Sequence, residues 1–116
     1  REFIAANADA PFPTPQGLFP GAGTMVAAIA TASGKDPLVI GKPFTAMYEL
    51  AYRVLNLNPH QVMGVGDRLE TDIAGAQRAG CLAVLVLSGV STLAQAQAWQ
   101  PAPDIIAANL DKLIHG

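Results

Sequence analysis

The sequence predicts an α/β fold in which parallel strands are buried under helices on both faces. From Leu38 onward, short apolar runs alternate with segments of helical periodicity. These runs are apolar throughout rather than at every second position, as in strands that are covered on both sides. With 116 residues, 51% of them hydrophobic and 14% charged, the chain is long enough and apolar enough to fold around a core.

The first 37 residues differ in character from the rest. A short apolar strand over residues 3–6 leads into a proline-rich loop with the sequence ADAPFPTPQGLFPGAG. A helix follows, which we expect Gly34 to end and whose apolar face carries Val26, Ile29 and Ala30. We therefore divide the chain into two parts, residues 1–37 and residues 38–116.

The second part alternates strictly between strands and helices. Strands are expected at 38–40, 62–65, 82–87 and 104–107, and helices at 44–57, 71–79, 92–98 and the C-terminus. Pro43 suits the first turn of the first of these helices, because a proline needs no intrahelical N–H partner there. We expect this helix to pack on the sheet through an apolar face formed by Met47, Leu50, Ala51, Val54 and Leu57.

The composition and charge of the chain argue against several kinds of partner. A net charge of −2 without a cluster of Lys or Arg argues against nucleic acid or an anionic membrane as partner. The apolar runs are shorter than the roughly 18 residues of a membrane span, and the N-terminus lacks the layout of a signal peptide. The single cysteine, Cys81, is expected in the core. We expect a soluble, cytoplasmic protein that binds a small molecule.

Carboxylates follow the apolar strand 62–65, in the sequence VGDRLETDI. Asp67 comes directly after the strand, and ligands of open α/β sheets bind at this carboxyl edge. Thr71 is expected as N-cap of the next helix, Asp72 complements the positive end of its dipole, and Gly80 fits its C-terminal end. Such a turn is either an ordinary helix cap or a Mg²⁺ site, with Asp67 as direct ligand and Asp72 behind it.

A lysine at the preceding strand-to-helix junction favours a Mg²⁺ site over an ordinary helix cap. Lys42 stands between Gly41 and Pro43, so its ammonium can lie at the same sheet edge and beside a helix N-terminus, where anions are favoured. Together with Asp67 it describes a site for a phosphate and a divalent cation, in which Gly41, Pro43, Gly66 and Thr71 shape the surrounding backbone.

These motifs resemble those of the haloacid dehalogenase (HAD) superfamily of phosphatases. The similarity is to the NagD-like branch, which includes p-nitrophenyl, phosphoglycolate and pyridoxal phosphatases. GKP resembles the third motif of the family, VGDRLETDI the fourth, and LVLSGVST the strand and loop that follow. The resemblance implies a HAD-like Rossmannoid core and hydrolysis of small-molecule phosphate monoesters. Lys42 would hold the phosphate and the nucleophilic carboxylate, Asp67 would bind Mg²⁺, and Asp72 would support the metal site.

The segment FIAANADAPFPTPQGLFPGAG resembles the end of the inserted cap domain and its return to the core. Asn7 and Asp9 match the Asn-Pro-Asp signature of the branch's cap, although Ala8 replaces the proline and Ala6 a usual threonine. The resemblance implies that these residues face the substrate. Residues 1–37 would then be the end of the cap and its linker, and residues 38–116 the C-terminal half of the core.

One element of the family pattern is absent from the sequence. Enzymes of this family form an aspartyl-phosphate on an Asp-x-Asp motif, and residues 1–116 contain no such motif. We therefore expect the chain to be the C-terminal part of a phosphatase and to be inactive in isolation. The alternatives are a non-catalytic phosphate-binding or receiver-like module, and a purely structural role.

The remaining candidates are interpreted as structural. His60 and His115 are expected to be solvated, Arg68 and Glu70 to be exposed loop charges, and Trp99 to pack over a helix end. Strand 62–65 would lie beside the missing nucleophile strand, so its edge would be bare. We expect the isolated chain to self-associate through it, and a homodimer is possible for the parent enzyme.

Overall fold

The computed structural model of the protein describes residues 2–116. The chain forms two compact units, one that ends at Gly41 and a second that spans Lys42–Gly116. The assignment of the first part to a cap domain remains a prediction.

The first unit contains four strands and one helix among its described residues. Strand β1 (Ile4–Ala5) pairs in parallel with β4 (Leu38–Val39). Helix α1 (Ala22–Ser33) ends at Gly34, as the sequence predicted, and Gly34 adopts a left-handed conformation. Strands β2 (Phe12–Thr14) and β3 (Gly17–Phe19) form an antiparallel hairpin where the sequence predicted only a loop. Its prolines are tolerated because a two-stranded ribbon consists only of edge strands.

The second unit alternates helices and parallel strands, as the sequence predicted. In chain order its elements are α2 (Ala46–Leu55), a 3₁₀ turn (Pro59–Gln61), β5 (Met63–Gly66), a π-helical turn (Leu69–Ile73), α3 (Ala74–Ala79), β6 (Leu82–Val86), α4 (Leu93–Ala98), β7 (Ile105–Ala107) and α5 (Leu110–His115). The strands form a parallel sheet in the order β5-β6-β7. The predicted α/β class is confirmed.

The core of this unit forms around the central strand β6. Ala83, Val84 and Leu85 are fully buried, because β6 has a strand on each side and cover above and below. Ile73, Ala76 and Ala96 bring helical side chains to the core, and they are also fully buried. The predicted core position of Cys81 is confirmed, since this residue is only 6% exposed. Trp99 packs against the same cluster, as predicted.

The prediction for α2 is wrong in two respects. The helix begins at Ala46, so Pro43 lies in the preceding turn rather than in the first helical turn. The expected apolar face points away from the core, with Met47 and Val54 exposed by 52% and 75%. Tyr48 and Tyr52 pack against the core instead. Their rings supply apolar area, while each hydroxyl donates to a backbone carbonyl at 3.2 Å, on Asp72 and Ala79 respectively.

The prediction of Thr71 as N-cap is also wrong. Thr71 lies inside the π-helical turn, and no side chain caps the start of that turn or of α3 by a hydrogen bond at the N-cap position. The carboxylate of Asp72 receives the preceding backbone N–H groups instead. Gly80 ends α3 in the left-handed conformation, as predicted.

Within residues 2–116, no helix has the length and apolar character needed to cross a bilayer.

Candidate phosphate and cation site

The candidate site lies where β5 ends and the π-helical turn begins. Asp67 is the first residue after β5, so it stands at the carboxyl edge of the parallel sheet. Lys42 approaches the same place from the turn that precedes α2. This edge is where ligands of α/β sheets bind.

Asp72 joins the two ends of the site. Its Oδ1 accepts a hydrogen bond from the Lys42 ammonium at 2.5 Å, and its Oδ2 accepts the backbone N–H groups of Asp67 and Arg68, each at 3.1 Å. The residue is 8% exposed, and its burial is tolerated because both oxygens accept hydrogen bonds. A Cβ on Gly66 would overlap the Asp72 side chain, so only glycine fits at the end of β5.

Lys42 keeps part of its donor capacity free for a ligand. Its side chain is 53% exposed, and an ammonium has three N–H donors, of which Asp72 takes one in the described structure. The ammonium is thus fixed on one side by Asp72 and open to solvent on another. This geometry suits an anion that arrives from solvent.

Asp67 is held by the loop that follows β6. The Val90 N–H donates to Asp67 Oδ2 at 2.8 Å, and the Ser91 N–H donates to the Asp67 carbonyl at 2.9 Å. The Ser91 hydroxyl in turn accepts the Leu69 N–H at 3.1 Å. No described residue donates to Oδ1 of Asp67, which leaves that oxygen available.

The donor set fits a small divalent cation in one position. Mg²⁺ is commonly bound by one or two carboxylates together with waters and phosphate oxygens. Asp67 Oδ1 is suited to be such a ligand, whereas both oxygens of Asp72 are already bonded within the protein. Across residues 2–116, no group of three or more His, Cys, Asp or Glu side chains is arranged to hold a metal. The chain therefore offers one carboxylate rather than a complete cage.

Tyr48 closes the site from the side of α2. Its hydroxyl donates to the Asp72 carbonyl at 3.2 Å. Burial raises the pKa of this phenol above its usual 10.0, and the nearby Cys81 and Asp72 raise it further. Tyr48 consequently remains a neutral donor under ordinary conditions. Burial also raises the pKa of Tyr52, which lies one turn farther along α2.

The other predicted site residues lie in different surroundings. In the first unit, Asp9 donates its N–H to Asn7 Oδ1 at 3.2 Å, and Gly41 lies against the backbone of Ala6. Thr71 is half-buried beside Asp72 in the second unit. The loop charges and histidines singled out in the sequence are exposed, as expected: Arg68, Glu70, His60 and His115.

Gly89, Val90 and Ser91 contact Asp67, although the sequence predicted no role for them. The signal was present, because small residues follow a buried strand in LVLSGVST. The sequence pattern does not show that this loop lies beside Asp67 in the fold. Its contact with Asp67 bridges more than twenty positions of sequence.

The sequence of this chain is similar to those of known hydrolases. The Hydrolase-like family model, described as HAD-hydrolase-like, matches residues 39–113. D-glycerol 3-phosphate phosphatase of Mycobacterium tuberculosis is 48% identical over 90 residues, which are 78% of this chain and 25% of that protein. The chain thus spans about a quarter of the length of this curated relative.

Two solved structures extend the similarity to the fold. A p-nitrophenyl phosphatase from Archaeoglobus fulgidus superimposes with a TM-score of 0.86 at 33% identity, over 97% of this chain and 45% of that chain. A glycerol phosphate phosphatase from Mycobacterium tuberculosis in complex with magnesium gives a TM-score of 0.81 at 42% identity, over 96% of this chain and 34% of that chain.

Proposed function

Since the chain belongs to the HAD-like hydrolase family, we propose that it supplies the lysine and one cation-binding carboxylate of a phosphatase. The substrates would be small-molecule phosphate monoesters, and the cofactor Mg²⁺. One observation carries the proposal: Lys42, Asp72 and Asp67 form a continuous bonded chain at the carboxyl edge of the sheet. The related proteins named above are phosphatases, which favours an enzyme over a non-catalytic phosphate-binding or receiver-like module.

The residues of this chain would act mainly through charge and position. Phosphoryl transfer requires positive charge around the equatorial oxygens and an aligned nucleophile. The Lys42 ammonium would bind one of these oxygens, and Asp72 would hold the ammonium in place. Asp67 Oδ1 would hold Mg²⁺, which when bound neutralises charge on the transferred phosphoryl group. Tyr48 would fix the turn that carries Asp72.

The nucleophile would be an aspartate of an Asp-x-Asp motif, which residues 1–116 do not contain. Its carboxylate oxygen would bond to phosphorus while the ester oxygen leaves and takes up a proton. Water would then cleave the acyl phosphate and release inorganic phosphate.

In this scheme Asn7 and Asp9 would face the substrate from a cap domain. A cytoplasmic location remains a prediction from composition.

A chimeric enzyme tests the proposal. Residues 39–113 would replace the corresponding segment of the p-nitrophenyl phosphatase from Archaeoglobus fulgidus, which retains its own N-terminal part. We expect Mg²⁺-dependent turnover of p-nitrophenyl phosphate. Asp67→Asn and Lys42→Met should each reduce kcat/KM by at least about 100-fold, because each removes a charge that faces the transition state.

Matched controls separate the site from general damage. Glu70→Gln removes an exposed charge from the π-helical turn that follows Asp67. Lys112→Met removes an exposed lysine of α5. Both chimeras should retain nearly full activity. A folded chimera whose activity survives Asp67→Asn or Lys42→Met would refute the assignment of these residues.

A further inference from the structure

We propose that Gly89, Val90 and Ser91, in the loop that follows β6, position the Asp67 carboxylate, with Ser91 as the anchoring residue. The inference rests on the proposed function, because it gives this loop a role toward the cation that Asp67 would hold. Ser91 is a positioning residue in this account, since it acts only through Asp67 and its neighbours.

The loop donates two hydrogen bonds to Asp67. The Val90 N–H holds Oδ2 of the carboxylate at 2.8 Å, and the Ser91 N–H holds the main-chain carbonyl of the same residue at 2.9 Å. Fixing both the side chain and the backbone removes rotational freedom from Asp67. Oδ1 is thereby left as the oxygen that can bind a ligand.

The Ser91 side chain ties the loop to the turn beyond Asp67. Its hydroxyl accepts the Leu69 N–H at 3.1 Å, and the residue is 5% exposed. In the part of the chain that the structure describes, the buried polar residues are Asp72 and Ser91, and both bond to the segment 67–69. Burying a polar group is costly unless it is bonded. Asp72 and Ser91 are both bonded, so the fold buries two polar side chains around this one segment and satisfies each of them.

Gly89 allows the loop to approach closely enough. A Cβ at this position would overlap the Asp67 carboxylate, so any other residue would push the carboxylate away or lift the loop. The neighbouring Ser88 is exposed, and its side chain makes no hydrogen bond to the described residues. Gly89 and Ser91 are therefore the residues to change, and Ser88 is their control within the same loop.

The test is an NMR titration of the 116-residue chain with Mn²⁺, a paramagnetic substitute for Mg²⁺. In the wild type, Mn²⁺ should broaden the amide signals of Asp67 and Val90, and Asp67→Asn should abolish this effect. Altering a group that orients a metal ligand typically lowers metal affinity by roughly 10- to 100-fold. We expect Ser91→Ala and Gly89→Ala each to raise the apparent Kd for Mn²⁺ about tenfold, and Ser88→Ala to leave it unchanged.

The possible results separate this proposal from the proposed function. If Mn²⁺ fails to broaden these signals in the wild type, or still broadens them in Asp67→Asn, the cation assignment fails and the positioning role fails with it. If broadening depends on Asp67 but folded Ser91→Ala and Gly89→Ala bind as the wild type does, the positioning role alone is overturned. Should circular dichroism show Ser91→Ala to be unfolded, Gly89→Ala decides the question.

Discussion

The ammonium of Lys42 lies 2.5 Å from Oδ1 of Asp72, although 30 positions of sequence separate the two residues. The pair links the turn before α2 to the turn before α3, and the second oxygen of Asp72 continues the link to the backbone at Asp67. The contact fixes the spacing between the Lys42 ammonium and Asp67, the two groups to which the proposed function assigns phosphate and cation binding.

The two partners of this ion pair should contribute unequally to stability. Asp72→Ala leaves two backbone N–H groups without their acceptor, so the free energy of unfolding should fall by about 1–3 kcal/mol. Lys42→Met should cost less than about 1 kcal/mol, because the lysine is 53% exposed and solvent screens the pair. Urea unfolding of both variants measures the difference. Equal losses would contradict the backbone role assigned to Asp72.

The isolated 116-residue chain should show no phosphatase activity. The proposed chemistry would depend on a carboxylate nucleophile, and the Asp-x-Asp motif that would provide it does not occur in residues 1–116. The measurement is release of p-nitrophenol from p-nitrophenyl phosphate with Mg²⁺ present, with Asp67→Asn as control. Turnover that Asp67→Asn abolishes would mean that another residue of this chain serves as nucleophile.

Alkaline conditions should destabilise the second unit. Burial raises the pKa values of Tyr48 and Tyr52 above the usual 10.0, so the unfolded chain loses these protons at a lower pH than the folded chain does. The stabilisation is fully present below pH 10.0 and is lost as the pH rises through the raised pKa values.

Urea unfolding at about pH 8 and about pH 11 measures this loss. The double variant Tyr48→Phe/Tyr52→Phe should show a weaker pH dependence, whatever its stability at the lower pH. The double variant removes only the two phenol hydroxyls, so the comparison isolates their contribution. An equal pH dependence in both proteins would contradict the assigned cause.

Much of the second unit could be predicted because its signals are local. Runs of apolar residues specified β5 and β6, and Gly80 specified the end of α3. Asp67 and Lys42 were predicted to lie near one another because each stands at a strand-to-helix junction, where the chain order alone places it near the sheet edge. The parallel pairing of β5, β6 and β7 followed from the same alternation.

Two failures in the second unit, the buried face of α2 and the N-cap at Thr71, involve contacts with distant neighbours. The hydrophobic periodicity of α2 favoured Met47 and Val54 for the core, yet Tyr48 and Tyr52 pack there because their hydroxyls reach carbonyls on α3 and the turn before it. Thr71 was predicted as N-cap because it opens the helical pattern, but the neighbouring Asp72 accepts the preceding N–H groups, while Lys42 bonds its other oxygen. No local pattern contains that information.

The edge strand β5 should cause the chain to self-associate. In the three-stranded sheet β5 pairs only with β6, and Met63 and Val65 are 46% and 40% exposed. An apolar edge with unpaired backbone groups recruits another strand, and a second copy of the chain offers one. Sedimentation at micromolar concentration should detect dimers or larger species. Val65→Lys should shift the chain toward monomer, and a wild type that remains monomeric would refute the prediction.

The most direct test of the central claim is an anomalous difference map from crystals of the chain soaked with Mn²⁺ and inorganic phosphate. We predict a peak at Asp67 Oδ1, at a distance close to the roughly 2.1 Å of small divalent cations, with a phosphate oxygen within hydrogen-bond reach of Lys42 Nζ. Density for both ions elsewhere, with Asp67 and Lys42 uncontacted, would contradict the account of one shared phosphate and cation site.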